Sequence, residues 1–375
     1  MISDRDTEHM TRAIELGAKG DPSPNPHVGA VVASRERVLG EGFHAEAGLE
    51  HAEIVALAAA GEQARGATLY VTLEPCNHHG RTAPCVDAII AAGIGRVLIG
   101  CRDPNPHVTG GGIGRLLAAG IEVEVGVLEQ EAGELIKAWS KYVTEEMSFL
   151  SLKLALSLDG RTATRTGASR WISCPESRSR VHSLRARHDA VMVGINTVIA
   201  DDPRLTVRDA PGRNPVRVVV DSTLRLPQNC QLVASAEQTT TCVVTTFDAS
   251  RAVAEALEER GVAVIRVPAT AEGRCDMRVA LRELAAREVV SVICEGGAEL
   301  AGSLLAAGLP DEMHVFVAPL LLGPRGRPGA VDWAGPESPS DAPRIEPARW
   351  ELCGSDAYVT GPLVYAKKAR TNPGA

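Results

Sequence analysis

His51-Ala52-Glu53, followed by Pro75-Cys76 and Pro84-Cys85, is the constraint that any fold of this chain must satisfy. One imidazole, one carboxylate and two thiols fall within 35 residues. If they serve one chemistry, the fold must return the chain to a single point three times in that span. A neutral His nitrogen and two thiolates form a three-ligand zinc set that leaves the fourth tetrahedral position to water. Two thiolates cancel the charge of the ion, so water is activated less than at a three-His site. A neighbouring general base is then needed, and Glu53 supplies it. A base that takes a proton from water and hands it to a leaving amine performs hydrolytic deamination. A fourth ligand from His78, His79 or Cys101 would instead close the site into a structural one.

The local pattern can deliver these residues. Residues i and i+2 do not share a face inside a helix. The helix expected over 50–60 must therefore start at the triplet if His51 and Glu53 are to face one site. A strand over 67–73 delivers Cys76. Pro84 suits a first helical turn, so a helix follows over 86–92 and Gly93 stops it. A Cys at that helix start is easily held as thiolate. Before the triplet come a helix over 7–20, a rigid Pro24-Asn25-Pro26 loop, and a hairpin over 30–33 and 38–42. After it come a strand over 96–100, a helix over 113–119, a strand over 121–127 and a helix over 129–143. Strands alternating with helices make an α/β sandwich. A boundary follows near Met147, giving domains over 1–146 and 147–375.

The second half repeats the alternation. Strands are expected over 149–156, 190–194, 215–221, 241–246, 263–267, 289–294 and 313–318, with closing strands over 350–365. Helices are expected over 252–260, 279–287 and 298–307. Residues 161–187 hold seven Arg against one acid, Glu176. That stretch reads either as a solvated basic face or as a phosphate pocket, since Arg grips phosphate bidentately.

Bulk properties narrow the partners. Net charge is -8 and aromatics are 3%, which supports neither a basic nucleic-acid face nor stacking platforms. No apolar run approaches membrane-spanning length. Nine Cys, an odd number without framework spacing, suggest a reduced, cytoplasmic protein.

His-x-Glu with Pro-Cys-x-x-Cys is the general signature of zinc nucleobase deaminases. Here eight residues, 77–84, separate the cysteines. With that spacing, Pro24-Asn25-Pro26-His27-Val28-Gly29, His51-Ala52-Glu53, Thr72-Leu73-Glu74-Pro75-Cys76 through Gly80-Arg81-Thr82 to Cys85, and Asp103-Pro104-Asn105-Pro106 resemble the bifunctional riboflavin-biosynthesis deaminase/reductase family. So do Lys153, Ser157-Leu158-Asp159-Gly160, Ser169-Arg170-Trp171-Ile172, the run from Asp201 to Arg208, and Glu295-Gly296-Gly297. The resemblance covers residues 7 to 366 or so.

The resemblance implies a cytidine-deaminase-like three-layer sandwich followed by a dihydrofolate-reductase-like α/β domain. It implies deamination of 2,5-diamino-6-(ribosylamino)pyrimidinone 5′-phosphate with Zn²⁺. NADPH-dependent reduction of the ribosyl group to ribityl would follow. It places Glu53 as the catalytic acid/base and His51, Cys76 and Cys85 on the metal. NADPH would lie on Ala155, Trp171, Thr197, Asp201, Ser222, Gly297, Ala298, Glu299 and Ser303. The phosphorylated pyrimidine would meet Ser169, Arg185, Leu205, Arg208 and Glu295 in the second domain. Lys153 and Asp201 are candidate proton donors, and Asn25, His44 and Lys153 are either site residues or structural. A homo-oligomer with no nucleic-acid or membrane partner is expected. Two positions depart from the family pattern: Gly111 stands where a Lys is common, and Ala83 where a Pro is common. The resemblance leaves two rivals to weigh, a different deaminase with an unrelated appended domain and a binding protein with a dead deaminase domain.

Overall fold

The alternation of strands and helices builds two separate sheets, one in each of two units, Met1–Met147 and Ser148–Ala375. The computed structural model describes residues 2–34, 37–77, 84–106, 111–323, 325 and 329–366.

In the first unit, helix α1 (Asp4–Gly17) precedes strands β1 (Gly29–Ala33) and β2 (Val38–Phe43). Then follow α2 (Ala52–Ala60), β3 (Thr68–Leu73), α3 (Cys85–Ala92), β4 (Arg96–Cys101), α4 (Gly112–Ala118), β5 (Glu122–Val125) and α5 (Glu129–Glu145). Helix α1 starts earlier than the expected residue 7, because Ser3 caps it. The Ser3 hydroxyl accepts from the Asp6 N–H, and the Asp6 carboxylate accepts from the Ser3 N–H at 2.9 Å. The sheet order is β2-β1-β3-β4-β5, antiparallel through β3 and parallel beyond. Alternate residues of the strands feed two cores. Val31, Tyr70 and Leu98 meet Met10 and Ala13 of α1. Val32, Leu69, Val71 and Val97 meet Ala56 of α2, Ile89 of α3 and Leu116 of α4. Helices thus cover both faces, a three-layer sandwich.

Two glycines bring α2 onto the sheet. A Cβ at Gly40 would lie 2.2 Å from the Ala56 carbonyl oxygen, and one at Gly42 2.3 Å from that of Ala52. This close approach sets where the start of α2 sits.

The second unit runs β6 (Phe149–Ser157), α6 (Pro175–Ala186), β7 (Ala190–Gly194), α7 (Ile195–Asp201), β8 (Val216–Val220), α8 (Gln231–Ala234), β9 (Thr241–Thr246) and α9 (Arg251–Glu258). It continues with β10 (Val262–Val267), α10 (Met277–Ala285), β11 (Ser291–Cys294), α11 (Ala298–Ala306), β12 (Glu312–Ala318), β13 (Arg344–Ile345), β14 (Arg349–Cys353) and β15 (Asp356–Val364). The sheet order is β10-β9-β8-β7-β11-β6-β12-β15-β13, with β14 on β15. Strands β10 to β12 of that order are parallel, and β15 returns antiparallel to β12. Strands β7, β8 and β11 are largely apolar because both faces are buried, although β8 carries the buried Arg217 and β11 opens on Ser291.

Three helices, α6, α7 and α8, were not expected from the sequence. Helix α6 falls in the Arg-rich stretch and buries only Ser177, Val181 and His182, so it lacks an apolar stripe. Helices α7 and α8 are too short to show a period. The strand expected over 121–127 shrinks to Glu122–Val125, its flanking Ile121 and Val127 being buried outside the ladder.

Candidate functional site

The first unit carries a cavity of about 350 Å³ whose lining includes Asn25, His44, His51, Glu53, Cys76, Asp103 and Asn105. His51 is the N-cap residue of α2, in extended backbone geometry, and Glu53 sits in the first helical turn. The helix start thus frees the triplet from the i, i+2 rule. Cys76 follows β3, and Cys85 is the first residue of α3. Its N–H, one of the donors a helix start leaves free, points to Cys76 Sγ at 3.3 Å.

The ligating atoms of His51, Cys76 and Cys85 lie within 4.8 Å of one another. His51 Nδ1 is 3.6 Å from Cys76 Sγ and 3.2 Å from Cys85 Sγ. Zinc holding nitrogen at about 2.0 Å and sulfur at about 2.3 Å in a tetrahedron sets them about 3.6 Å apart. The donor set therefore fits zinc. Cys101 does not join it, because its thiol donates to the Thr72 carbonyl at 3.3 Å. His78 and His79 lie outside the described residues, as do residues 80–83 and Gly110.

The electrostatics suit proton transfer. A hydrogen bond from the Cys85 thiol, opposed by burial and helped by His51, lowers the Cys76 thiol to about 4. Glu53 is 4% exposed. Burial, with the nearby Cys76 thiolate adding to it and its own N–H opposing, raises its carboxyl. A carboxyl raised toward neutrality next to metal ligands has the profile of a general acid/base.

Asn25 and His44 join this cavity through a hydrogen-bond relay. The Glu50 carbonyl accepts from His44 Nδ1 at 3.1 Å, which leaves Nε2 as an acceptor for the Asn25 amide NH₂ at 3.0 Å. Burial lowers the His44 pKa and keeps the ring neutral. Glu74 braces the far wall, accepting from the Ile113 N–H at 3.2 Å at the start of α4. Sequence reasoning missed Glu74, since nothing in the Glu-Pro-Cys run announces a partner 39 residues away. Gly111 has φ 110, a conformation in which a Lys would be strained.

The second unit carries a larger cavity, about 1230 Å³, at the C-terminal ends of β6, β7, β8 and β11. Parallel sheets bind ligands at that edge. Each residue that the resemblance assigns to NADPH lines it: Ala155, Trp171, Thr197, Asp201, Ser222, Gly297, Ala298, Glu299 and Ser303. So do Ser169, Arg185, Leu205, Arg208 and Glu295, and so does Lys153. The volume exceeds what one small ligand needs, about 300–1,000 Å³. It therefore suits a dinucleotide beside a second molecule, and β11 with Gly296-Gly297 and the start of α11 offers N–H groups to a phosphate.

The Arg-rich stretch is largely engaged internally. Arg185 is paired through Nε and Nη2 with Glu295, and its Nη1 donates to the Thr206 carbonyl at 3.0 Å. Arg178 lies 4.6 Å over the Trp171 ring, and Arg180 pairs with Glu351 at 2.5 Å. Of the two readings of this stretch, neither holds for all of it: Arg170, Arg178 and Arg185 line the cavity, whereas Arg180 does not. Arg208 keeps a freer guanidinium, with only long contacts to Thr206 and His182 at 3.4 Å. Burial works against the Glu295 charge, but Arg185 outweighs it and holds the carboxyl low. Burial lowers Lys153, Glu295 drawing it back up. The cavity also takes in Arg225 and Arg274, which no motif had singled out.

The two units thus join the chemistry of a zinc-dependent deaminase to that of a dinucleotide-dependent reductase. Residues 3–101 match the cytidine and deoxycytidylate deaminase zinc-binding region, and residues 148–359 match the RibD C-terminal domain. The riboflavin biosynthesis protein RibD of Aquifex aeolicus is 45% identical over 86% of this chain and 89% of its own length. That of Escherichia coli is 42% identical over 91% and 95%. The solved structure of Acinetobacter baumannii RibD (form 1) superposes with a TM-score of 0.85 at 38% identity, covering 97% of this chain and 99% of that one. The chain belongs to the RibD family of bifunctional riboflavin-biosynthesis deaminase/reductases. Its folds are those of a cytidine deaminase and a RibD reductase, and its cofactors are Zn²⁺ and NADPH.

Proposed function

We propose that the unit up to about Met147 deaminates 2,5-diamino-6-(ribosylamino)-4(3H)-pyrimidinone 5′-phosphate, and that the unit beyond it reduces the product to 5-amino-6-(ribitylamino)uracil 5′-phosphate. The observation that carries this reading is the joint presence, in one chain, of the His51-Cys76-Cys85 cluster beside buried Glu53 and a dinucleotide-sized cavity at parallel strand ends.

In the first step His51, Cys76 and Cys85 would hold Zn²⁺, which would supply the Lewis acidity that eases loss of a proton from water. Glu53 accepts that proton as water adds to the amino-bearing ring carbon. It returns the proton to the departing amine, so one water enters and one ammonia leaves. The Asn25 amide, oriented by His44, presents its carbonyl oxygen as an acceptor for a ring donor.

In the second step the cofactor held in this cavity would supply the hydride that C1′ of the ring-opened, imine form of the substrate takes up. Arg185 holds Glu295 against the substrate, and Arg208 takes phosphate oxygens. Ser169 and Leu205 complete that wall. Trp171, Ala155, Thr197 and Asp201 enclose the cofactor with Ser222 and the start of α11. Lys153 and Asp201 are the two proton donors that the cavity offers.

A coupled assay tests the reading. Purified protein receives the diaminopyrimidine ribotide with and without NADPH. Ammonia release is expected without NADPH, and NADPH oxidation only after deamination. A chelator should stop ammonia release while leaving reduction of supplied deaminated product intact. If chelation stopped both steps equally, the assignment of one metal-dependent step to the first unit would be wrong.

We also infer that the chain is a homo-oligomer. Trp350 and Leu352, at 71% and 80% exposure, share one side of β14, which pairs with β15 alone among the described strands. Light scattering is expected to show a smaller particle for Trp350→Lys/Leu352→Lys than for the wild type. Among the described residues no helix is long and apolar enough to cross a membrane. Nine cysteines, none of them in a disulfide, suit a reducing compartment, and we place the protein in the cytoplasm.

A further inference from the structure

His182 is enclosed in α6 at 6% exposure, yet it lines the larger cavity and has no part in the steps above. Its Nδ1 is buried and meets no hydrogen-bond partner among the described residues. A buried nitrogen left unpaired is costly, so its retention calls for a role. The other nitrogen, Nε2, stands between opposite charges. Arg208 Nη2 donates to it at 3.4 Å, and Asp209 Oδ2 lies 3.4 Å away. A guanidinium cannot accept, so with that bond made Nε2 is the acceptor and carries no proton. A neutral ring does nothing to cancel the Asp209 charge.

Charged groups face the ring from three segments. Arg185 stands one turn further along α6. Arg208 and Asp209 come from the segment between α7 and β8, and Glu295 from the turn after β11. Lys153 on β6 bears on Glu295 in turn. Burial, Arg185 and Arg208 push the ring below its ordinary pKa, against Asp209 and Glu295. His182 is therefore neutral at pH 7 while Arg208 faces it. A phosphate on Arg208 reverses that balance. The guanidinium turns its donors to the phosphate oxygens, so Nε2 loses its donor. A dianion then stands beside the Asp209 carboxylate, and an anion within about 4–6 Å favours the protonated imidazole. The proton gives Nε2 an N–H for that carboxylate and offsets the repulsion between the two anions.

We propose that His182 takes up a proton as the substrate phosphate settles on Arg208, and that the imidazolium cancels the Asp209 charge so that the phosphate is held. His182 is a positioning residue: it acts through Arg208 and Asp209, not on the carbon that is reduced. This rests on the reading above, in which Arg208 takes the phosphate.

Calorimetric titration of the whole protein tests it without turnover. The ligands are the reduced product, 5-amino-6-(ribitylamino)uracil 5′-phosphate, and the same compound without its phosphate. Repeating each titration in two buffers of different ionisation enthalpy counts the protons taken up. At about pH 7.5 the phosphorylated ligand should bring in about one more proton in the wild type than in His182→Gln, and the dephosphorylated ligand none in either.

Steady-state reduction gives a second readout. His182→Gln should raise KM for the deaminated ribotide about tenfold, with kcat and NADPH binding kept. Wild-type KM should climb as pH rises from about 7 to about 9, because binding brings in a proton, and that of the variant should stay level. Asp209 is exposed, so Asp209→Asn should fold as the wild type does. It removes the repulsion and should keep KM low at the upper pH. Equal proton uptake in wild type and His182→Gln, equal weakening of both ligands in that variant, or a KM for Asp209→Asn that climbs as in the wild type overturns the proposal while leaving the phosphate reading in place. If Arg208→Ala kept the wild-type preference for the phosphorylated ligand over the dephosphorylated one, the phosphate reading would fall, and the proposal with it.

Discussion

Glu53→Gln is expected to lower ammonia release by about 10²- to 10⁴-fold, the contribution of a positioned general acid/base. Gln keeps the shape and one acceptor oxygen but can neither take nor return a proton. Zinc content, measured by atomic emission, should be unchanged, because the three ligands lie elsewhere. NADPH oxidation with supplied deaminated product should also be unchanged. Ammonia release at the wild-type rate would sink the acid/base role.

The same variant carries a stability prediction with a definite sign. Burial raises the Glu53 carboxyl above its unfolded value. Such a group contributes stability below its unfolded pKa, and that contribution is lost as pH rises through the folded value. Gln does not titrate. Metal-free Glu53→Gln should therefore gain on metal-free wild type as pH rises from 5 to 8. Thermal unfolding at the two pH values checks it. A site residue that lowers stability in exchange for chemistry is a common trade.

What the sequence revealed about this site, and what it did not, divides along one line. His51, Glu53, Cys76 and Cys85 were legible because the chemistry needs those residue types and the chain places each at the end of a regular element. The start of α2, the end of β3 and the start of α3 could all be read from local pattern. The His44 relay was not legible. Whether a His between two loops serves the site depends on a carbonyl six residues on and an amide 19 residues back. The same holds for Arg225 and Arg274, which line one cavity from segments far apart in the chain that a bond from the Cys275 N–H to Ser222 joins. Helix α6 shows the converse difficulty. Its charged composition hid a helix whose buried face is made of Ser177, Val181 and His182. The parallel strands were easy because burial on both faces leaves an apolar run, whereas the pairing order of the sheet comes from contacts far apart in the chain.

The second large effect is expected at the other cavity. Arg185→Met leaves Glu295 buried without its main cation. Both side chains are nearly enclosed, at 12% and 7% exposure, so water cannot screen the loss. Breaking a buried pair on one side costs about 3–5 kcal/mol. Urea unfolding should show that loss in the second unit, together with loss of NADPH oxidation. Arg185→Met/Glu295→Met removes both charges and should recover most of the stability but none of the reduction, the pattern of a pair kept for function. The pH dependence separates this from simple misfolding. In the wild type Arg185 holds the Glu295 pKa below its unfolded value despite burial. That contribution is present above the unfolded carboxyl pKa and is lost as pH falls through the folded one. Without Arg185, the weaker pulls of Lys153 and His182 are left to oppose burial, and the folded pKa rises. The penalty in the variant then shrinks as the carboxyl protonates, so the stability gap to wild type should narrow between pH 7 and pH 5. A gap that stayed constant over that range would mean that Arg185 stabilises the unit by packing rather than by its charge.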